Sequence, residues 1–589
     1  MQSLTTRGRI LWCGLGALSI AFHLGLIFSG LVPNLVSRPL HMALVAPWAL
    51  VLMARSPGSR NIGLALCLTA LACCSYIALH HSSLSDQYGF LDGLLQQLIA
   101  VSLLIIVLEM ARRAIGWPLP SVACLALLYG LFGEWVPGEF GHPGLPLNSF
   151  LGTLTIAEGG IWGKLTGVSV SIVAIFVIFG AVLNAGEAGQ GFINIANAAA
   201  GRLKGGAAKV SVISSALFGS ISGSASANVA STGAITLPAM TRLGYPKTLA
   251  AAVEAVASSG GQVMPPLMGA GAFVMVELTG VPYHSIMAAA LLPALLYFIA
   301  VWAGINAHAR NQSLPALPEE LQPGTRQVVI TAAFFFVPFF ILLERMFNGG
   351  YTAQYAAAVA ILSAFILLLF DTSFRVSWPQ LGHRLEQVCL TAGRQIAMIG
   401  SIILCAGIII GVLGQTGLGV KITSVILSVA DDQLWPALLL TALACLLLGM
   451  EVPTTAAYVI CVSVAGPALE QLGLEPLLVH LFVFWFALLS TITPPVCGAV
   501  FIAAGMVEEN WIKVAASAMA LGIGLYLIPL AMVRHPSLIE LSSNPGSAIF
   551  AFIQIAVGLV AISYAVIARS LGWRRIPLSG LGITLLFVI

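Results

Sequence analysis

An all-α, polytopic membrane protein built around an inverted repeat is the fold class this sequence predicts, and three observations predict it. Only 8% of the 589 residues are charged while 59% are hydrophobic, and the mean hydropathy is +0.99. Soluble domains carry about 25% charge, so a water-soluble enzyme is excluded. Apolar runs recur from Ile10 to Ile589, and at about 20 residues per crossing, with room for loops, they amount to roughly fourteen to sixteen spans. After residue 165, glycines and prolines recur in pairs at one fixed offset.

Taken in order, the chain opens on a short basic segment bearing Arg7 and Arg9, followed by an apolar run from Ile10 to Val32. That run is too long for a secretory signal and no small-residue cleavage site follows it, so it reads as an uncleaved first span. Further spans are expected near 39–54, 61–80, 91–111 and 118–136. The polar, Gly/Pro-rich stretch from Pro137 to Lys164 is the clearest domain boundary. Beyond it, spans are expected near 166–187, 247–280, 284–307, 328–346, 353–371, 386–413, 474–507, 513–533 and 548–569, about 14 full spans in all. The chain thus divides into an N-terminal membrane scaffold (1–140), a linker (141–165), a first repeat (166–346), a connecting span (347–385), a second repeat (386–535) and C-terminal membrane segments (536–589).

Two apolar blocks, 208–243 and 436–472, are set apart by the distribution of charge. With the N-terminus in the cytoplasm and one crossing per span, 20 of the 25 Lys and Arg residues fall on one side. Only Arg38, Lys164, Arg345, Lys421 and Arg534 fall on the other. Such an excess marks the cytoplasmic side of a bacterial inner membrane. It holds only if each block enters and leaves on the same side, so each is expected to be a re-entrant hairpin.

The repeat is read from its register. Pro238 pairs with Pro467, Leu243-Gly244 with Leu472-Gly473, Pro265-Pro266 with Pro494-Pro495, and Gly269 with Gly498, all in one register. One position out of step, Gly219 pairs with Gly449. Five spans separate the two copies, and an odd number turns the second copy upside down in the membrane. Inverted repeats with discontinuous helices mark secondary transporters, whose ion and substrate sites lie at the breaks.

Chemistry is expected in three places. The first block contains Gly219-Ser-Ile-Ser-Gly-Ser-Ala-Ser-Ala-Asn-Val-Ala-Ser-Thr-Gly233, a run of small and hydroxylated residues in an otherwise apolar chain. Small residues permit unwound backbone at membrane depth where protein covers it, although they also serve tight helix packing. In Gly260-Gly-Gln-Val-Met-Pro-Pro-Leu-Met-Gly269 and Ser490-Thr-Ile-Thr-Pro-Pro-Val-Cys-Gly498, two consecutive prolines remove amide donors and free the carbonyls of the preceding turn. Those carbonyls suit a small hard cation such as sodium, with a simple kink as the alternative. Glu254, Glu277 and Glu451 are the notable acids within the apolar regions and are functional candidates by position. They occupy no equivalent repeat positions, so each is equally a helix-pinning group.

Other classes find little support. The ten cysteines lack zinc-type spacing, there is no phosphate-binding loop or nucleophile elbow, and the few charges build no nucleic-acid surface. No organic or metal cofactor is expected beyond coupling ions.

The tracts GSISGSASANVASTGAITLPAM, EAVASSGGQVMPPLMGAGAFVMVE, GMEVPTTAAY and TITPPVCG resemble the large permease subunit of TRAP (tripartite ATP-independent periplasmic) transporters over roughly residues 150–535. The resemblance extends to the fused type, with small and large membrane subunits in one chain, served by a TAXI-type solute-binding protein; residues 1–140 fit the small subunit by position and span count. This resemblance implies an elevator-type, sodium-driven importer that receives a small organic anion from a periplasmic binding protein. Carried over by motif, one sodium site would use Gly219, Ser222, Gly261, Met264 and Pro265, largely through carbonyls. The other would use Gly449, Ser490, Thr493 and Val496, with Ser490 standing where relatives often have glycine. Substrate would lie between the hairpin tips, near Ser224, Asn228 and Thr232 on one side and Pro453, Thr454 and Thr455 on the other. Neither tip carries a basic residue, so the anion's charge falls to helix dipoles, hydroxyls, the ions or Arg394.

Two other readings compete. A stand-alone sodium/dicarboxylate symporter shares the inverted-repeat logic and needs no binding protein, but leaves the five-span N-terminal unit unexplained. A membrane-embedded enzyme would need an acid such as Glu254 or Glu451 beside a His/Asp cluster, and the sequence offers only His80-His81 with Asp86 in a loop.

Overall fold

In lipid, every backbone amide must find its partner inside the chain, which leaves helices as the economical solution for apolar runs. The structure, a computed structural model, describes residues 6–54, 56–312, 314–318, 322–371, 374–449 and 452–588. Among them the secondary structure is helical apart from one β-bridge between Phe370 and Val376. Ten helices are long and apolar enough to cross a membrane, and Trp511–Leu521 with Ile523–Arg534, bent by 43°, makes an eleventh. The chain is a multi-pass membrane protein.

The number of long helices is smaller than the fourteen spans expected, for a local reason. Stretches 247–280 and 474–507 are each two short helices, Lys247–Gly260 with Ala270–Thr279 and Pro476–Leu489 with Gly498–Val507. Each gap contains the diproline, where amide donors run out. Stretch 353–371 holds one helix of 15 residues, Ala353–Leu367. Two further helices, Ala188–Ala200 and Leu418–Val429, precede the two apolar blocks. Polar residues such as Gln190, Asn194 and Asn197 interrupt the first, and the second, though apolar, has only 12 residues, too few to cross a membrane.

Each apolar block is a helical hairpin: Gly206–Ser222 with Ala225–Arg242, then Leu434–Leu448 with Thr454–Gln471. In the first, the chain reverses at Gly223 with φ of +61°, a conformation that costs glycine nothing, and the Ser224 hydroxyl accepts from the Ala227 amide to start the returning arm. The returning arms are both 18 residues long, the helices that follow both 14, and those after the breaks both 10. The repeat seen in Gly and Pro is therefore a repeat of whole elements. The two copies interlock: Ala225–Arg242 packs on Gly498–Val507, and Thr454–Gln471 on Ala270–Thr279.

The N-terminal unit packs on a 39-residue helix, Trp378–Thr416. Gly393, Gly400 and Gly407 recur on it every seventh residue. The indole of Trp48 lies against Gly393 and the Gly160 carbonyl against Gly407, each too close to admit a side chain, and the imidazole of His41 lies tightly against Gly400. Two polar links tie the same unit to residues 158–169. Arg38 donates to the Trp162 carbonyl and to Glu158 at 3.2 Å. Ser19, His23, His41 and Ser169 form a buried chain in which one arrangement of protons satisfies every link: His23 Nδ1 donates to the Ser19 carbonyl (2.6 Å), His41 Nδ1 to His23 Nε2 (2.8 Å), and the Ser169 hydroxyl to His41 Nε2 (3.1 Å).

Candidate functional site

The first break is built on two glycines in contact. A side chain on Gly219, at the end of the entering arm, or on Gly261, at the end of Lys247–Gly260, would collide with the other glycine's Cα. Asn228 fastens this contact: its amide donates to the carbonyls of Ser215 (2.8 Å) and Ser258 (3.1 Å), joining three helices. Beyond Gly261 the backbone turns through Met264 N to Gly261 O (3.3 Å) and Gly269 N to Gln262 O (2.9 Å) before Ala270–Thr279 begins. The Tyr283 hydroxyl donates between the carbonyls of Pro266 and Leu267 (2.7 and 2.8 Å). Among the described residues, no donor reaches the carbonyls of Val263, Met264 and Pro265. The Ser222 hydroxyl, on the last residue of the entering arm, is buried without a hydrogen-bond partner.

The second break repeats this plan with one substitution. Ser490 stands where Gly261 stands in the first copy, and its hydroxyl is shared between the carbonyls of Gly449 (3.1 Å) and Ala487 (2.7 Å). Thr493 Oγ1 donates to the Leu489 carbonyl (2.7 Å) and meets the Tyr526 hydroxyl at 2.7 Å. The carbonyls of Ile492, Thr493, Pro494 and Val496 again meet no donor among the described residues. Both prolyl-prolyl bonds, 265-266 and 494-495, are cis. The breaks touch each other, with Ser259 Oγ and Thr491 Oγ1 2.9 Å apart across the repeats.

The residues singled out by sequence thus fall into separate environments. Gly219, Gly261, Met264 and Pro265 come together at the first break, with Ser222 on the turn above it. Gly449, Ser490, Thr493 and Val496 form the second. Ser224 and Pro453 are the N-caps of the two returning arms, and Thr454 and Thr455 open the second arm. Asn228 and Thr232 lie deeper, with their polar atoms engaged within the protein. Arg394 is exposed beside Gly393 on the long helix that carries the N-terminal unit. Glu451 lies outside the described residues. Glu277 is exposed near the end of Ala270–Thr279.

Glu254 is fully buried among hydroxyls. Ser211 (2.7 Å), Ser258 (3.1 Å), Thr232 and Thr236 donate to its carboxylate, with Ser215 at 3.4 Å. No Lys or Arg lies within salt-bridge distance of it among the described residues. Its counterpart in the second repeat, in the register that pairs the diprolines, is Val483, so this network belongs to the first copy alone.

Sequence reasoning passed over the tyrosines. Tyr297 donates to the Val256 carbonyl (2.7 Å) in the first broken helix, and its ring lies against Gly260. Tyr526 reaches Thr493 in the second. The two tyrosines stand in the same register as the paired prolines, so extending the repeat past Gly and Pro finds them. Tyr283 has no such signal.

Residues 102–547 match the family described as "Tripartite ATP-independent periplasmic transporter, DctM component". The chain is similar to the C4-dicarboxylate TRAP transporter large permease protein DctM of Pseudomonas aeruginosa, 27% identical over 325 residues that cover 55% of this chain and 74% of the relative. Its counterpart in Vibrio cholerae is 26% identical over 455 residues, 74% of this chain and 96% of the relative. The isethionate TRAP transporter permease protein DctMQ of Oleidesulfovibrio alaskensis is 25% identical over 369 residues, 60% of this chain and 55% of the relative.

Proposed function

Because the chain belongs to the DctM component family of tripartite ATP-independent periplasmic transporters, and is a permease rather than an enzyme, we propose that it imports a small organic anion using a sodium gradient. The observation that carries this reading is the pair of diproline breaks, each leaving consecutive carbonyls without a donor at matched repeat positions. A carbonyl cluster of that kind suits a hard cation that takes only oxygen ligands. The first ion is assigned to Gly219, Ser222, Gly261, Met264 and Pro265, and the second to Gly449, Ser490, Thr493 and Val496. The relatives named for C4-dicarboxylates and isethionate carry small anions, and the same class is proposed here.

The anion is assigned to the hairpin tips. Both returning arms start there, so their first amides and their dipoles favour negative charge, with Ser224, Thr454 and Thr455 supplying hydroxyls. Asn228 and Thr232 act from behind, holding the arm in place. Alternating access by an elevator movement of the interlocked hairpins and breaks, re-entrant entry of the hairpins and a cytoplasmic N-terminus in the inner membrane complete the reading. The N-terminal unit takes the place of the small subunit, and the donor is a periplasmic TAXI-type solute-binding protein.

The test is uptake by purified protein in vesicles with an inward sodium gradient. Substrate should enter when its loaded binding protein is added and should fail to enter when potassium replaces sodium. Full uptake with sodium but no binding protein would favour a stand-alone symporter, and uptake indifferent to sodium would remove the ion assignment.

A further inference from the structure

We propose that an anionic phospholipid occupies a cavity between the entering arm of the first hairpin, helix Tyr283–Gln312 and helix Pro545–Ile567, with one acyl chain inside and its phosphate at Lys209 and Arg310. The cavity holds about 570 Å³, within the range of ligand sites. Ile213, Leu217, Leu295, Phe298, Trp302 and Tyr564 line it, and Asn306 is the one amide in the wall. A chamber this apolar excludes a free phosphate or a small carboxylate from its interior. A hydrocarbon chain fits it.

The polar end is equally defined. Lys209 lies one helical turn before Val212 and Ile213, and Arg310 one turn after Asn306, so both continue the lining faces toward one end. The Lys209 ammonium sits 5.0 Å from the centre of the Trp302 ring and the Arg310 guanidinium 5.1 Å from that of Tyr564. Each cation therefore rests on an aromatic ring that also lines the cavity. Lys209 is only 5% exposed, and among the described residues neither cation has a carboxylate within salt-bridge distance. An ammonium held on an aromatic ring at the mouth of an apolar chamber has no counter-charge of its own there; a phosphate tethered to an apolar tail supplies that anion and fills the space below. The positive-inside orientation puts this end at the cytoplasmic leaflet, where anionic lipids are drawn to basic pockets between helices. The wall contributed by Pro545–Ile567 lies almost wholly beyond residue 547, where the family match ends.

The experiment uses the full-length protein, delipidated in detergent and incubated with phosphatidylglycerol or phosphatidylcholine, with bound lipid counted by native mass spectrometry. Wild type should retain phosphatidylglycerol in preference. With about fivefold per basic side chain, Arg310→Gln should lose about fivefold of that preference and the double variant Lys209→Gln/Arg310→Gln nearly all of it. Ala303→Phe, which fills the chamber, should release both lipids. Arg310 is exposed, so its variant keeps the test decisive even where the buried Lys209 substitution disturbs folding. Equal retention of the two lipids by wild type, a preference unmoved by Arg310→Gln, or retention of glycerol 3-phosphate as strong as that of phosphatidylglycerol would each overturn the proposal.

Discussion

Thr493 donates to Leu489 and meets Tyr526, which leaves its oxygen one lone pair for a cation. Thr493→Ala should weaken the sodium dependence of uptake by roughly ten- to hundredfold, if the lost ligand is comparable to a hydrogen bond to a charged group at about 1.5–3 kcal/mol. Tyr526→Phe removes the neighbour and keeps the ligand, so its sodium titration should move much less. Equal shifts in the two variants would mean that Thr493 only positions Tyr526. Ser222→Ala should give the smaller shift in the first repeat, where carbonyls dominate. Glu254 poses a question of stability instead. Glu254→Leu strands the hydroxyl of Ser211 at about 1–3 kcal/mol and leaves Thr236 and Ser258 only the Thr232 carbonyl (3.0 Å) and the Ser215 hydroxyl (3.4 Å), and should lower the thermal midpoint in detergent by several degrees. Glu254→Gln keeps one acceptor oxygen and should cost less; an unchanged midpoint in the leucine variant would show that the hydroxyls repartner freely.

Among elements, the long helix Trp378–Thr416 has the most to lose from one added side chain. Gly393→Leu drives a branched chain into the buried Trp48 indole, an overpacking that costs about 1–3 kcal/mol. With a protease site inserted at the exposed Glu139, wild-type fragments should stay together through purification and the Gly393→Leu fragments should separate. Co-purification of both would show that the remaining contacts suffice. The diproline breaks were legible in the sequence because proline acts through its own backbone, whatever surrounds it. The hairpins were legible as blocks because basic residues stay on one side only if each block enters and leaves on the same side. Helices Ala188–Ala200 and Leu418–Val429 were not, because partial polarity hides the first from a hydropathy reading and the 12 residues of the second are too few to read as a span. The hydroxyl cluster around Glu254 was not either: it gathers side chains from three helices, and only packing brings Ser211, Thr236 and Glu254 within reach.

For the molecule as a whole, two repeats of matched helices imply opposite entry of the two hairpins. Single cysteines replacing the exposed Lys204 and Gln433, which precede the two hairpins, should react with a membrane-impermeant thiol reagent from opposite sides of oriented vesicles. Labelling from the same side would end the inverted arrangement. The glycine stripe on Trp378–Thr416 also has a consequence in time. Gly16, in the first helix, meets the backbone of Cys389, which is synthesised only when well over half of the chain has been made. At about 5–20 residues per second, the first helices wait roughly 20–75 seconds in the bilayer before the surface they pack on exists. Arg38 and the His23-His41 pair wait a shorter time, roughly 6–25 seconds at the same rate, since Glu158, Trp162 and Ser169 also come later in the chain. During biogenesis this unit therefore passes through a stage in which a guanidinium and an imidazole chain face lipid or an insertion factor, and slowing translation between residues 60 and 150 would lengthen that exposure.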